Sequence, residues 1–213
     1  MSSSVKKPVA LKERATRMAP EERREQLIRC AIDVFAEHGL AGAGHAQVAR
    51  AANVSTPTVF LYLPNRQALL DAVLGEVSQY LIDMVERARM NGATASDKLM
   101  AITQAFADAI DSDPNEVRIF LNWSTVTDSE SWPQYIEFQD AILNALADVI
   151  NHGIERGEVD RAVNPMWGAH IVMGSAHMIA QMKFRGRDRQ DIDAFLHTLV
   201  DGALSAGPTA QHT

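Results

Sequence analysis

An all-α fold is what the sequence predicts, and three observations carry it. Apolar residues recur at helical spacing along nearly the whole chain. Strand signals are weak, with no β-branched alternating run between turn dipeptides and only 6% aromatic residues. Caps and breakers then cut the stripes into about nine helices.

The elements follow in chain order. Pro20 opens a first helix with the stripe Leu27, Ala31, Val34, Phe35 and His38, and Gly39 fits its stop. Short helices follow at about 45–52 and 56–62. Asn65, after Pro64, is a good N-cap for a long helix to about Arg89. That helix aligns Leu69, Val73, Val77, Tyr80, Leu81 and Met84, and Asn91-Gly92 ends it. Ser96 starts the next helix (Leu99, Ile102, Phe106, Ile110), and Asp113-Pro114 starts another. Ser131-Trp132-Pro133 begins a long helix ending near Arg156-Gly157. Asn164-Pro165 opens a helix to about Arg185-Gly186, and the last runs from about Asp188 to Leu204. Residues 1–19 and 206–213 are polar or small and read as a flexible arm and tail. The expected division is an arm (1–19), a head (20–66), a body (67–205) and a tail (206–213).

The chain has 213 residues, enough to bury a sizeable core without disulfide staples. Its single cysteine, Cys30, excludes an internal disulfide and a Cys-rich zinc site. No apolar stretch is long enough for a membrane span, and the N-terminus lacks the apolar core of a signal peptide. A soluble cytoplasmic protein is expected. The formal charge is −7, but it is unevenly spread. Residues 1–70 hold ten Lys/Arg and six Asp/Glu, a net of +4; residues 71–213 hold ten and twenty-one, a net of −11. A basic head on an acidic body points to a polyanionic partner for the head.

The segment from Gln47 to Leu63 reads as helix, tight turn, helix. Val48, Ala49, Ala52, Val54, Val59 and Phe60 can form one small apolar core, with small alanines where two helices cross. Asn53 sits at the turn, and Asn tolerates the left-handed conformation. Ser55 can cap the second helix. This is the helix-turn-helix pattern, whose second helix enters the major groove of DNA. Candidate DNA contacts are Gln47, Ser55, Thr56, Thr58, Leu61, Tyr62, Asn65 and Arg66. Ahead of the first helix, Lys6, Lys7, Lys12, Arg14 and Arg17 form a basic run, and Arg14 and Arg17 are candidate minor-groove contacts. A helical hairpin inside an ordinary core and a solubilising tail are the plainer alternatives.

The first 85 or so residues resemble the DNA-binding head of the TetR family of bacterial regulators. The matching set is Phe35-Ala-Glu-His-Gly39, Val48-Ala49, Val54-Ser55, Thr58-Val-Phe-Leu-Tyr-Leu-Pro-Asn-Arg66 and Leu69-Leu70. A narrower resemblance, to the quorum-sensing master regulators of vibrios (the LuxR/HapR/SmcR type), covers nearly the whole chain. Its residues are Arg14-Ala-Thr-Arg-Met-Ala-Pro20, Gly39-Leu-Ala-Gly-Ala-Gly-His45, Asn122 to Pro133 and Ile154-Glu-Arg-Gly-Glu-Val159. The resemblance implies a homodimeric regulator with three DNA-binding helices and six for ligand pocket and dimerisation. It also implies repression of some promoters and activation of others. One departure stands out: Leu61 replaces the Asn that the vibrio proteins carry in the recognition helix. Asn can hydrogen-bond a base edge, whereas Leu can make only apolar contact.

In the body, Met84, Phe106, Ile110, Phe120, Trp123, Tyr135, Phe138, Gln139, Met173 and His177 are candidate lining of a ligand pocket between helices. A filled core is the alternative from spacing alone. Trp167, Ile171, Gly174, Ser175 and Met178 form one stripe, and Phe195, Leu196 and Leu199 part of another; together they are the candidate dimer surface. No cofactor or metal is expected. Gly42-Ala-Gly44 lacks the strand and third glycine of a nucleotide loop. His170 and His177 are seven residues apart without a fixed acidic partner. Cys30 fits a small apolar residue better than a redox sensor. The leading expectation is a dimeric DNA-binding regulator tuned by a small apolar or amphipathic ligand. A local efflux or catabolic repressor is one alternative. A helical small-molecule-binding module or enzyme without DNA binding is another, although no nucleophile–base pair supports catalysis.

Overall fold

Half of the helices in this chain start at a side chain that accepts an orphan N–H group of the first turn. The computed structural model describes residues 18–205, so the arm residues Arg14 and Arg17 and the tail 206–213 lie outside the described residues. Ten helical segments fill the described part: α1 (Pro20–Gly42), α2 (His45–Ala51), α3 (Thr56–Tyr62), α4 (Arg66–Ala88), α5 (Ala95–Ser112), α6 (Pro114–Trp123), α7 (Trp132–Glu155), α8 (Pro165–Gly174), α9 (Ala176–Phe184) and α10 (Arg189–Ala203). Among the described residues there is no strand.

The expected punctuation is largely where the sequence places it. Asn65 accepts from Ala68 N–H at 2.8 Å to cap α4, and Asn164 accepts from Met166 and Trp167 to cap α8. Gly39 interrupts α1 with φ 74°, a conformation closed to most L-residues. A further helical turn nevertheless continues to Gly42. Two differences have local causes. The fifth helix begins at Ala95 rather than Ser96, because Thr94 and Asp97 form a capping box: Asp97 N–H donates to Thr94 Oγ1 (3.1 Å) and Thr94 N–H to Asp97 Oδ2 (3.0 Å). The helix expected from Asn164 to Arg185 is split into α8 and α9. Ser175 Oγ–H donates back to Val172 O at 2.6 Å, and Ser175 N–H divides itself between Ile171 O and Val172 O. Such back-bonding tightens and bends a helix. Counted as one broken helix, α8 and α9 restore the nine predicted.

A single apolar core runs from the head (Leu27, Phe35, Val48, Val59) through α4 into the body (Leu99, Trp123, Leu146, Ile150, Leu196). Helix α7 packs on α8, and α6 packs on α1. The α1–α6 joint is also polar, with Asn115 Nδ2 donating to Asp33 Oδ1 (2.9 Å), and α4 is tied to the start of α6 where Tyr80 O–H donates to Asp113 Oδ2 (2.7 Å). Burial, then that hydrogen bond and the Asp113 charge, push the Tyr80 hydroxyl up to about 12. Helices α4 and α6 therefore tie the head to the body.

Candidate DNA interface and ligand chamber

The α2–turn–α3 unit is built on the small core the sequence anticipates. Val48 and Val59 are fully buried, Ala49 and Ala52 nearly so, and Val54 packs beside them. Asn53 makes the turn with φ 53°. Ser55 accepts from Thr58 N–H (3.3 Å) at the start of α3. Phe60 departs from expectation: it is 45% exposed rather than in the core. Its ring lies flat on His45, with centroids 4.0 Å apart. His45 is itself buried and donates from Nε2 to Leu63 O at 2.7 Å, since a carbonyl can only accept. A histidine thus fills the place beneath Phe60, which left the phenyl on the outside.

The candidate DNA contacts separate into two groups. Leu61 is 78% exposed, and Thr56 and Tyr62 are partly exposed on α3. The rest have structural engagements. The Ser55 and Thr58 hydroxyls bond each other at 2.8 Å. The Asn65 carboxamide oxygen caps α4. Gln47 Nε2 donates to Gly42 O (3.1 Å). The Arg66 guanidinium donates to the carbonyls of Leu40 and Ala41, which clamps the end of α1 to the start of α4. As a candidate DNA contact Arg66 keeps its charge exposed, but its hydrogen bonds close the end of the head.

In the body, two adjoining chambers share Phe120 and Met173. The inner one, about 60 Å³, is lined by α4 (Leu81, Met84, Val85), α5 (Ile102, Thr103, Phe106), α6 (Phe120), α7 (Phe138, Ile142, Leu146), α8 (Val172, Met173) and α9 (Ala176, Ile179). Its one hydroxyl, on Thr103, donates back to Leu99 O and Met100 O, so the chamber offers apolar surface only. The outer one, about 160 Å³, adds Ser124, Tyr135, Gln139, His170, Gly174 and His177. Ser124 Oγ–H donates to Leu121 O (2.8 Å) and lies 2.9 Å from His177 Nε2, which is then the donor of the pair. Burial holds the Tyr135 hydroxyl above its ordinary value, so it remains an O–H donor.

Most of the expected pocket residues therefore face one chamber or the other, but two do not. Trp123 is fully buried, donates from Nε1 to Ser131 O (3.2 Å) and stacks on Phe138. It braces the chamber wall from behind. Ile110 is buried one helical turn beyond Phe106 and lines neither chamber. The aliphatic lining of α4, α5 and α7 was missed because it belongs to the same stripes that fill an ordinary core.

The expected dimer stripes separate in the same way. Trp167 (67%), Ile171 and Met178 are exposed large apolar residues, as are Met166 and Phe184 on the same two helices, and Gly174 is exposed. Leu196 is fully enclosed by its own protomer and has no surface to give a partner. Ser175 is buried and bonded to Val172 O. Phe195 and Leu199 are half-buried against the core. The three α10 residues have one cause: α10 turns its apolar stripe inward onto α5 and α8.

Among the described residues no three His, Cys, Asp or Glu side chains gather as a metal site, and no helix is long and apolar enough to cross a membrane. The family described as "Bacterial regulatory proteins, tetR family" matches residues 27–73, and "Tetracyclin repressor-like, C-terminal domain" matches residues 92–181. The HTH-type transcriptional regulator LuxR of Vibrio harveyi is 29% identical over 94% of this chain and 95% of its own length. The fatty acid metabolism regulator protein of Bacillus subtilis is 23% identical over 84% of this chain and 93% of its own. Among solved structures, the fold matches the transcriptional regulator FadR from B. subtilis in complex with stearoyl-CoA. The TM-score is 0.71 at 21% identity, covering 86% of this chain and 99% of that one. The fatty acid degradation regulator FadR from Bacillus halodurans matches with TM-score 0.73 at 19% identity, over 93% of this chain and 100% of that one. These relatives are DNA-binding regulators, not enzymes, and this chain belongs to the TetR family of bacterial transcription regulators.

Proposed function

We propose that the chain acts in the cytoplasm as a homodimer on a two-fold operator, and that an amphipathic ligand sets its DNA affinity. The observation that carries the ligand reading is the double use of α4 and α6. Both line the chambers, and both hold α1 of the head. An apolar tail fits the inner chamber, and a hydrogen-bonding head group fits the outer one beside His177, Tyr135 and Gln139. The chambers are far smaller than the ~300–1,000 Å³ typical of ligand pockets. A ligand must therefore push their walls apart, and displacing α4 or α6 displaces the head. The stearoyl-CoA in the B. subtilis neighbour supports an acyl-type tail.

The dimer reading rests on the exposed apolar face of α8 and α9, centred on Trp167, Ile171 and Met178. A large exposed apolar patch marks an interface, and a second copy covers it isologously. Likeness to the Vibrio harveyi regulator favours a many-promoter, quorum-sensing-type role over a local repressor; binding across the genome separates the two.

The test uses the full chain and an operator enriched from genomic duplexes. Decanoate and stearoyl-CoA are titrated while DNA affinity is followed by fluorescence anisotropy. At least one should shift the operator Kd several-fold. Ala176→Leu, whose added atoms occupy the inner chamber, should lose the shift whatever its own affinity for DNA. An unshifted Kd with both probes, or an undiminished shift in Ala176→Leu, overturns the ligand reading. Trp167→Glu should sediment as a monomer; an unchanged dimer overturns the interface.

A further inference from the structure

The outward face of α3 is unusual for a DNA-reading surface. The helix, Thr56-Pro-Thr-Val-Phe-Leu-Tyr62, contains no Arg, Lys, Asn or Gln. Those are the side chains that read guanine and adenine edges bidentately. Its hydroxyls are partly engaged, since Ser55 and Thr58 bond each other at 2.8 Å. What it presents instead is apolar: Pro57, Phe60 and Leu61, at i, i+3 and i+4, are all exposed. Leu61 is 78% exposed, and nothing among the described residues covers it. Phe60 is held in one pose by its flat stack on His45, which is locked by its bond to Leu63 O. A rigid apolar ridge therefore stands where a helix-turn-helix meets the major groove. The only apolar group a base pair shows in that groove is the C5 methyl of thymine.

We infer that Leu61, beside the fixed Phe60 ring, reads thymine C5 methyl groups, so that this head selects its operator by methyl contacts on α3 rather than by hydrogen bonds to guanine. The inference rests on the family's DNA-binding reading and on α3 as the groove-entering helix. It commits to one occupant because the ridge is continuous with the helix-turn-helix.

The test replaces each operator thymine by deoxyuridine, which removes only the methyl. Kd is measured with the full chain at fixed salt. One or two thymine positions per half-site should each lose about fourfold in affinity, the worth of one CH₂ taken out of water. Symmetric replacement in both half-sites should lose about fifteenfold. Leu61→Ala, at an exposed position that leaves the fold intact by circular dichroism, should bind the thymine operator more weakly and be indifferent to uridine at those positions. Two results overturn the inference: no single replacement weakens the wild-type chain more than twofold, or Leu61→Ala keeps the full uridine penalty. Failure to enrich any duplex is a different outcome, and overturns the DNA-binding reading beneath it.

Discussion

Gly168 on α8 gives a prediction whose sign opposes ordinary helix propensity. A Cβ built there would lie 2.6 Å from the backbone oxygen of Ala203 and 2.6 Å from Cδ1 of Ile150. The Ile side chain can move, but the Ala203 carbonyl belongs to α10 and moves only with the helix. Overpacking of this kind costs about 1–3 kcal/mol. Replacing a helix-interior glycine by alanine returns about 1 kcal/mol. The backbone oxygen places the steric cost in the upper part of its range, so Gly168→Ala should lose about 1–2 kcal/mol net. For a chain of this size that is a fall of about 2–8 °C in Tm. Gly202 on α10 is the control: nothing among the described residues lies within 4 Å of its Cβ position. Gly202→Ala should gain up to about 1 kcal/mol. The assay is thermal unfolding at one protein concentration, because assembly makes Tm concentration-dependent. A Gly168→Ala chain as stable as the wild type, or stabilised alongside Gly202→Ala, would refute the close α8–α10 approach. That approach also sets the position of the chamber wall and of the outer apolar face.

Two further outcomes follow from the head–body joint. Glu116 on α6 is held above the ordinary glutamate value, chiefly by burial and then by the Asp113 and Asp33 charges. Its charged form is therefore disfavoured in the folded state, a penalty present at neutral pH and relieved as pH falls through the carboxylate range. Glu116→Gln should raise Tm at pH 7, and the gain should shrink as pH falls through the carboxylate range; a gain that does not change with pH would remove that assignment. Asn65→Ala removes the α4 cap and should cost about 1 kcal/mol in urea denaturation. A loss under about 0.3 kcal/mol would show the 2.8 Å bond to be dispensable.

The fold was highly legible because its punctuation is local. Asn65, Asn164, Gly39 and Asn53 act through their own backbone neighbours, so position in the sequence is enough. The Thr94–Asp97 box was equally local and could have been read from its spacing. What resisted reading depends on which way a stripe faces. Leu196 and Trp167 both sit on periodic apolar faces, yet one is sealed in the protomer and the other is exposed. Ile110 and Phe106 differ by one turn, and only Phe106 meets the chamber. Arg66 and Asn65 looked like DNA contacts by type, but the end of α1 and the first turn of α4 engage them. The His45–Phe60 stack needed two segments to meet, and no spacing rule brings them together.

The most direct test of the account is enrichment of genomic duplexes by the full chain at low salt, followed by affinity measurement of the winner across a salt series. A two-fold symmetric operator is expected, with half-sites one helical turn or a multiple apart and an affinity that falls steeply as salt rises. No enriched sequence, or an affinity indifferent to salt, would contradict it.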